Sequence, residues 1–384
     1  MPNKTARTPR YVQIADEIRQ LISAGHYSPG DRLPTVAEMA VIYQSNHCTI
    51  SASVKHLAQL GLVESRKRAG VVVKSKRVLA RSGERSIAFV LSVTANRFGA
   101  LLIDGAEQAA RARGYRLTIG NSSQDIRQER QLLSELADTV AGILVIPVGG
   151  EDNVGHYTGL VKSGMPLVFV DQFLPGVPAP VVSADHAAGA AAATGHLLRN
   201  GCNDVYILVG GHGSSMEARI EGFRRALAAA GRECPSDLIL QAPYHGPEDG
   251  YQLARSLLLG NPRTGVIGFF ATTEEMAHGV YAAVRESGRQ VGHEVRVAGF
   301  GDIATMFMDP PLTTMRQDGV SIGEIAAGKL IDMIESGNAS DAASVLLRTE
   351  LVVRKSCHPA PSWTMHELLA AGGLASTRDL TMFQ

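Results

Sequence analysis

From residue 87 onward the chain keeps returning to one pattern: a short, largely apolar run, a helical stretch, then another apolar run. Ile87–Leu91, Tyr115–Ile119, Gly142–Ile146 and Pro166–Asp171 form a first series, with helices predicted from Phe98 to Arg113 and from Gln128 to Leu136. After a long helix, His186–Arg199, the series restarts with Asp204–Gly210, Leu238–Gln241, Gly265–Phe270 and Val295–Gly299. A strand that is apolar along its length has no face for water, so it belongs in a parallel sheet covered by helices. Two such sheets predict an α/β body of two Rossmann-like lobes with a cleft between them. Ligands of open α/β sheets sit at the carboxyl ends of the strands, and a two-lobed form closes over one by hinge bending.

The 384 residues, 45% apolar and 19% charged, suffice for two to three domains with sizeable cores. No apolar run approaches the roughly 18–20 residues of a membrane span, and the polar N-terminus has no signal-peptide core. Cys48, Cys202, Cys234 and Cys357 lie far apart with no Cys-x-x-Cys pair, as expected of reduced thiols in the cytoplasm. The zero net charge conceals an asymmetry. Residues 1–85 hold 14 Lys/Arg against 6 Asp/Glu, and the remainder 23 against 31. A basic head on an acidic body suggests a polyanion partner at one end. A solvated basic face would give the same count, so the pattern within the head decides.

That pattern is helical. Ile14, Ile18, Leu21 and Ile22 form one stripe of a first helix, from Tyr11 to Ile22. Thr35-Val36-Ala37-Glu38 is a capping box that starts a second helix, through Tyr43. After a turn at Gln44-Ser45-Asn46, a third helix runs to Leu60 with Ile50, Val54 and Leu57 inward and Gly61 as its stop. Leu62–Ser65 and Val71–Val73, joined by a turn from Arg66 to Gly70, read as a hairpin. Three short helices and a basic-tipped hairpin make a winged helix-turn-helix. Its third helix suits the major groove of double-stranded DNA, and Arg66, Lys67 and Arg68 at the tip suit phosphates or the minor groove.

Residues 10–75 resemble the DNA-binding domain of the GntR family, through Tyr11-Val12-Gln13-Ile14-Ala15, Pro29-Gly30-Asp31-Arg32-Leu33-Pro34-Thr35 and Leu57-Ala58-Gln59-Leu60-Gly61-Leu62-Val63. The resemblance implies arginines in the second helix and around the start of the third, where this sequence has Ala37, His47 and Ser51. Thr35, His47, Cys48, Thr49, Ser51 and Lys55, with Arg66, Lys67, Arg68 and Gly70 of the wing, are therefore the candidate DNA contacts. Residues 86–357 resemble the LacI-type regulatory domain, itself similar to periplasmic binding proteins. The matching stretches include Asp104–Ala110, Arg219-Ile220-Glu221-Gly222-Phe223, Val297–Asp302 and Pro311–Gln317. Head and body together resemble the arabinose-repressor type of architecture, which implies a dimeric repressor released, or occasionally engaged, by a small molecule. The expected division is a head at 1–76, a linker at 77–86, an effector and dimerisation domain at 87–357, and a tail at 358–384.

The LacI-type resemblance also implies effector contacts. Arg219 falls at the ligand-gripping arginine, whose fork suits vicinal hydroxyls or a carboxylate; a salt bridge to Glu217 or Glu221 is the alternative. Asp171 aligns with a polar cleft position or serves as a cap. Asn96 and Arg97 lead into Phe98, an aromatic wall or a core residue. His245 or Tyr244 falls at an aromatic lid. Thr273-Glu274 stands where the family has Asn-Asp, and Gly301 replaces the first acid of a pair, leaving Asp302. With these sugar-holding positions changed, and Arg97 in place of a common proline beside the cleft mouth, Arg97 and Arg219 together would favour an anionic ligand such as a sugar acid or sugar phosphate.

Chemistry beyond binding is missing from the sequence. Gly210-Gly211-His212-Gly213 lacks the Lys-Ser/Thr ending of a phosphate loop. Twelve scattered histidines form no His-Glu-x-x-His, and no Gly-x-Ser-x-Gly elbow occurs. No catalytic residue, metal or cofactor is therefore expected. Met306, Met308 and Met315 read as core or interface filler, and the tail with Trp363 either docks or frays. The predicted function is a ligand-controlled DNA-binding regulator, a homodimer of cytoplasmic location. The rival is a sugar-binding or transport-type receptor whose basic head is incidental; the lack of a signal-peptide core argues against it.

Overall fold

The computed structural model describes residues 9–23, 26–27, 30–59, 62–66, 70–73, 85–92, 97–260, 265–303, 305–337 and 343–357. The expected linker falls outside these except at residues 85 and 86, and the stop at Gly61 and the whole tail from 358 also lie outside. The chain divides into two compact units. One comprises Met1–Asp185, His212–Ser215 and Asp318–Arg348; the other comprises His186–Gly211, Met216–Gln317 and Thr349–Gln384.

The head opens the first unit with α1 (Arg10–Ser23), α2 (Val36–Ile42) and α3 (His47–Gln59), then the hairpin β1 (Val63–Arg66) and β2 (Gly70–Val73). The Thr35 side chain accepts from Glu38 N–H (3.3 Å), and the Glu38 carboxylate accepts from Thr35 N–H (2.6 Å), so the capping box closes in both directions. β1 and β2 pair antiparallel from Val63–Val73 to Arg66–Gly70. Ile14, Ile18, Met39, Ile50, Leu57, Val63 and Val73 fill the core between helices and hairpin.

The rest of the first unit is a six-stranded parallel sheet in the order β13-β7-β6-β5-β3-β4. Its strands are β3 (Ser86–Leu91), β4 (Arg116–Asn121), β5 (Ile143–Val145), β6 (Leu167–Val170), β7 (Val181–Ala184) and β13 (Val345–Leu347). Alternation along β3 sends Ile87, Phe89 and Leu91 toward α4 (Arg97–Ala112) and α11 (Gly319–Ser336). Ala88 and Val90 face α5 (Ile126–Ala137) and α6 (Val154–Lys162). α4 and α11 cross at backbone contact: a Cβ on Gly105 would overlap the Val320 carbonyl, and one on Gly323 the Leu102 carbonyl.

The second unit repeats the scheme in the order β14-β12-β11-β10-β8-β9, parallel except for β14 against β12. The strands are β8 (Asp204–Gly210), β9 (Ile239–Ala242), β10 (Ile267–Ala271), β11 (Val295–Gly301), β12 (Thr313–Arg316) and β14 (Glu350–Val352). Val205, Ile207 and Val209 pack toward α7 (His186–Arg199) and α8 (Ser214–Ala229). Tyr206 and Leu208 pack toward α9 (Pro247–Gly260) and α10 (Glu274–Glu286). The two predicted series of strands are thus both present as parallel sheets. The sequence reading did not anticipate that α11 and β13, late in the chain, return to the first sheet. Among the described residues no helix is long and apolar enough to cross a membrane.

Candidate functional site

On α3 the candidate readers form one outward stripe. His47, Ser51 and Lys55 are exposed at successive turns, with Cys48 exposed beside them and Thr49 half-buried. The opposite side is fixed: Ile50 and Leu57 have no exposed surface, and buried Ser53 donates its hydroxyl to the Tyr11 and Thr49 carbonyls, 2.9 Å each. Asn46 Oδ1 accepts from Thr49 N–H (2.8 Å), closing the first turn of the helix. The stripe therefore cannot roll inward without breaking the cap and the core together. Thr35 is exposed but engaged as the cap of α2. Arg66 ends β1, Lys67 and Arg68 lie outside the described residues, and Gly70 opens β2 with φ of 79°.

In the second unit Arg219 is 4% exposed. It projects from α8, and its Nη1 donates to the Thr272 carbonyl (2.6 Å), at the carboxyl end of β10. Its guanidinium lies over the Phe300 ring, 4.0 Å from the centroid. Nη2 stands 3.2 Å from Nδ1 of His186, the first residue of α7. Arginine has only donors, so in this contact His186 Nδ1 is the acceptor. The expected alternative partner Glu221 pairs instead with Arg225 (2.8 Å). His186, Thr272 and Phe300, which gather around Arg219, were not among the candidates that the sequence offered. The signal available was position, since each sits at or just beyond a strand's carboxyl end.

The remaining candidates of this unit belong to loops at the same strand ends. Thr273 caps α10, its hydroxyl accepting from Met276 N–H (3.2 Å) and donating to the carbonyl of exposed His245 (3.2 Å). Asp302, at φ 73°, accepts from Arg316 (2.7 Å), Arg354 (2.6 Å) and Thr305 (2.8 Å). Burial opposes its charge, but these three donors prevail and hold its carboxyl below the ordinary aspartate range. A ligand bound by Asp302 would have to compete with two arginines already in place.

In the first unit Asn96 lies outside the described residues. Arg97 is exposed as the first residue of α4, whereas Phe98 packs at the edge of the core. Asp171 follows β6 at φ 62°, a left-handed conformation rare outside glycine, asparagine and aspartate. A buried carboxylate that the sequence did not reveal lies in the same unit. Glu129 Oε1 accepts from Tyr157 (2.7 Å) and Asn153 (2.6 Å), and Oε2 from Val148 N–H (2.8 Å) and Ser122 (3.4 Å). Burial outweighs these four donors and pushes its carboxyl above the ordinary glutamate range.

Residues 10–73 match the family described as bacterial regulatory proteins, gntR family, and residues 194–357 match the periplasmic binding protein-like domain. The chain is similar to the HTH-type transcriptional regulator MalR of Streptomyces coelicolor, with 31% identity over 264 residues, covering 66% of this chain and 75% of that protein. The chain belongs to the HTH-type transcriptional regulators. It is a DNA-binding transcription regulator with a GntR-type head and an effector domain. This regulator is also similar to the arabinose metabolism transcriptional repressor of Geobacillus stearothermophilus, at 25% identity over 92% of this chain and 99% of that one. The crystal structure of a LacI family transcriptional regulator from Enterococcus faecium with bound ribose shares the fold, with a TM-score of 0.61 at 24% identity, covering 72% of this chain and all of that one.

Proposed function

We propose that the regulator is a repressor that acts as a homodimer in the cytoplasm, with its affinity for a double-stranded operator set by a small sugar or sugar derivative. It carries out no catalysis. Residues 1–76 hold the operator, 77–86 link, 87–357 take the effector and dimerise, and 358–384 form a tail. Two heads related by symmetry read half-sites about one helical turn, or a multiple, apart. Occupancy by the effector and by the operator are coupled reciprocally, and a coupling of about 1–3 kcal/mol gives roughly 5- to 150-fold control.

The observation that carries this reading is Arg219. A buried guanidinium, braced by the Thr272 carbonyl, the His186 imidazole at the start of α7 and the Phe300 ring, is a preorganised fork for hydroxyls or a carboxylate. The names of the relatives point the same way, to repression and to sugars. The test is fluorescence anisotropy of a labelled duplex from upstream of the regulator's own gene, titrated with L-arabinose, D-ribose, cellobiose and the matching sugar acids and phosphates. The reading expects salt-sensitive binding and at least one compound that changes the affinity. A protein that bound no duplex would be the receptor of the rival reading, and binding indifferent to every compound would remove the effector.

A further inference from the structure

The segment between α1 and α2 is more than a connection. Gly30 N–H donates to Val73 O (2.9 Å), Val73 N–H to Asp31 O (2.8 Å) and Leu33 N–H to Val71 O (2.9 Å), with Arg32 opposite Val72 as an antiparallel bridge. Residues 30–33 thus add a third strand to the wing, beside β2. Alternation sorts its side chains. Leu33 turns into the head core with Val63, Val71 and Val73, whereas Arg32 lies with Val72 on the other face and is exposed.

The Arg32 guanidinium does not stop beside Val72. It reaches over Gly70, two residues nearer the tip, with Nε 2.8 Å and Nη2 3.1 Å from where a Cβ on Gly70 would stand. Gly70 suits its φ of 79° and leaves open the space over which this cation lies. The same charge is felt by Glu38, whose carboxyl is held low mainly by hydrogen bonds from the Thr35 backbone and side chain, with Arg32 adding to them. The stem lies along the sheet and carries the exposed head group over Gly70, where an anion can reach it. Gly70 pairs with Arg66, the last residue of β1, at the end of the hairpin ladder.

We propose that Arg32 is a contact to the DNA backbone: seated on Gly70 at the foot of the wing tip, its guanidinium takes one phosphate of the bound duplex. It rests on the head binding DNA. The full-length protein is tested by anisotropy on two labelled duplexes, one from upstream of its gene and one of random sequence, across a salt series. Arg32→Gln, which keeps the stem and removes the charge, should weaken both complexes to a similar degree. It should also lower the slope of log K against log salt by about 0.9 per head. Arg32→Lys should restore the slope, and thermal melting of each variant reports folding separately. An unchanged affinity would overturn the proposal, as would a weakened complex with an unchanged slope, because Arg32 would then only brace the wing. A parent protein that bound neither duplex would overturn the function beneath it, a result recognisable before any variant is made.

Discussion

Replacing Glu129 with leucine should destabilise the first unit by about 3–6 kcal/mol, an effect set by what the carboxylate leaves behind. Its three close donors, the Tyr157 hydroxyl, the Asn153 amide and Val148 N–H, stand at 2.6–2.8 Å, and Tyr157 and Asn153 have no exposed surface. Each buried donor left without an acceptor costs about 1–3 kcal/mol, less if water enters. At about 2–4 °C per kcal/mol for a unit of this size, melting should fall by roughly 6–24 °C. Glu129→Gln adds a sign. Burial raises the Glu129 carboxyl, so the folded state holds its proton more tightly than the unfolded state. The contribution of Glu129 is full below the ordinary glutamate range, about pH 4.3, and is lost as pH rises through the raised value. The glutamine variant cannot titrate there, so it should gain on the parent as pH rises above the ordinary glutamate range. Urea unfolding followed by far-ultraviolet circular dichroism at several pH values measures both effects. A leucine variant within about 1 kcal/mol of the parent, or parent and glutamine profiles that run parallel, would refute the reasoning.

Asp302 should behave with the opposite sign. Its carboxyl is held low by Thr305, Arg316 and Arg354 against the effect of burial, so its stabilisation is present above the ordinary aspartate range and lost as pH falls through the lowered value. Asp302→Asn should cost the second unit about 1–3 kcal/mol at neutral pH and remove that acid limb from its unfolding profile. Gly105→Ala should destabilise the first unit by about 1–3 kcal/mol or more because its methyl meets the Val320 carbonyl. Gly159→Ala on α6, with nothing within 4 Å, should be neutral or gain up to about 1 kcal/mol in the same denaturation assay. Arg219→Lys replaces a fork by a point charge that cannot serve Thr272 O and His186 Nδ1 together. Half-maximal response to an active sugar should need at least about tenfold more of it, while operator affinity without sugar is kept. A response at the parent's concentration would take Arg219 out of the effector site.

Much of the fold was legible because its signals are local. The capping box at Thr35–Glu38 marked α2, and His186–Arg199 and Asp204–Gly210 were read with the bounds that α7 and β8 have. What stayed hidden is long-range. Nothing in the periodicity of Gly319–Ser336 says that α11 packs on α4, and nothing in Val345–Leu347 says that β13 pairs with β7. α5 begins two residues before its apolar pattern suggests, since the start is set by Asp125 accepting from Arg127 and Gln128 N–H. Site residues followed the same rule. Arg219 was visible through its resemblance to a known motif, but its brace is assembled from α7, β11 and the end of β10, which only folding brings together. Arg32 is visible in the sequence as part of a motif but not as a contact, because only the register of residues 30–33 against β2 carries it over Gly70.

The most direct test of the account is the dissociation constant of the full-length regulator for its own upstream duplex, measured at one fixed salt concentration with and without each sugar, sugar acid and sugar phosphate at saturation. Regulation by an effector expects at least one compound to change that constant by roughly 5- to 150-fold. A constant that is the same in the presence and absence of every compound would contradict it.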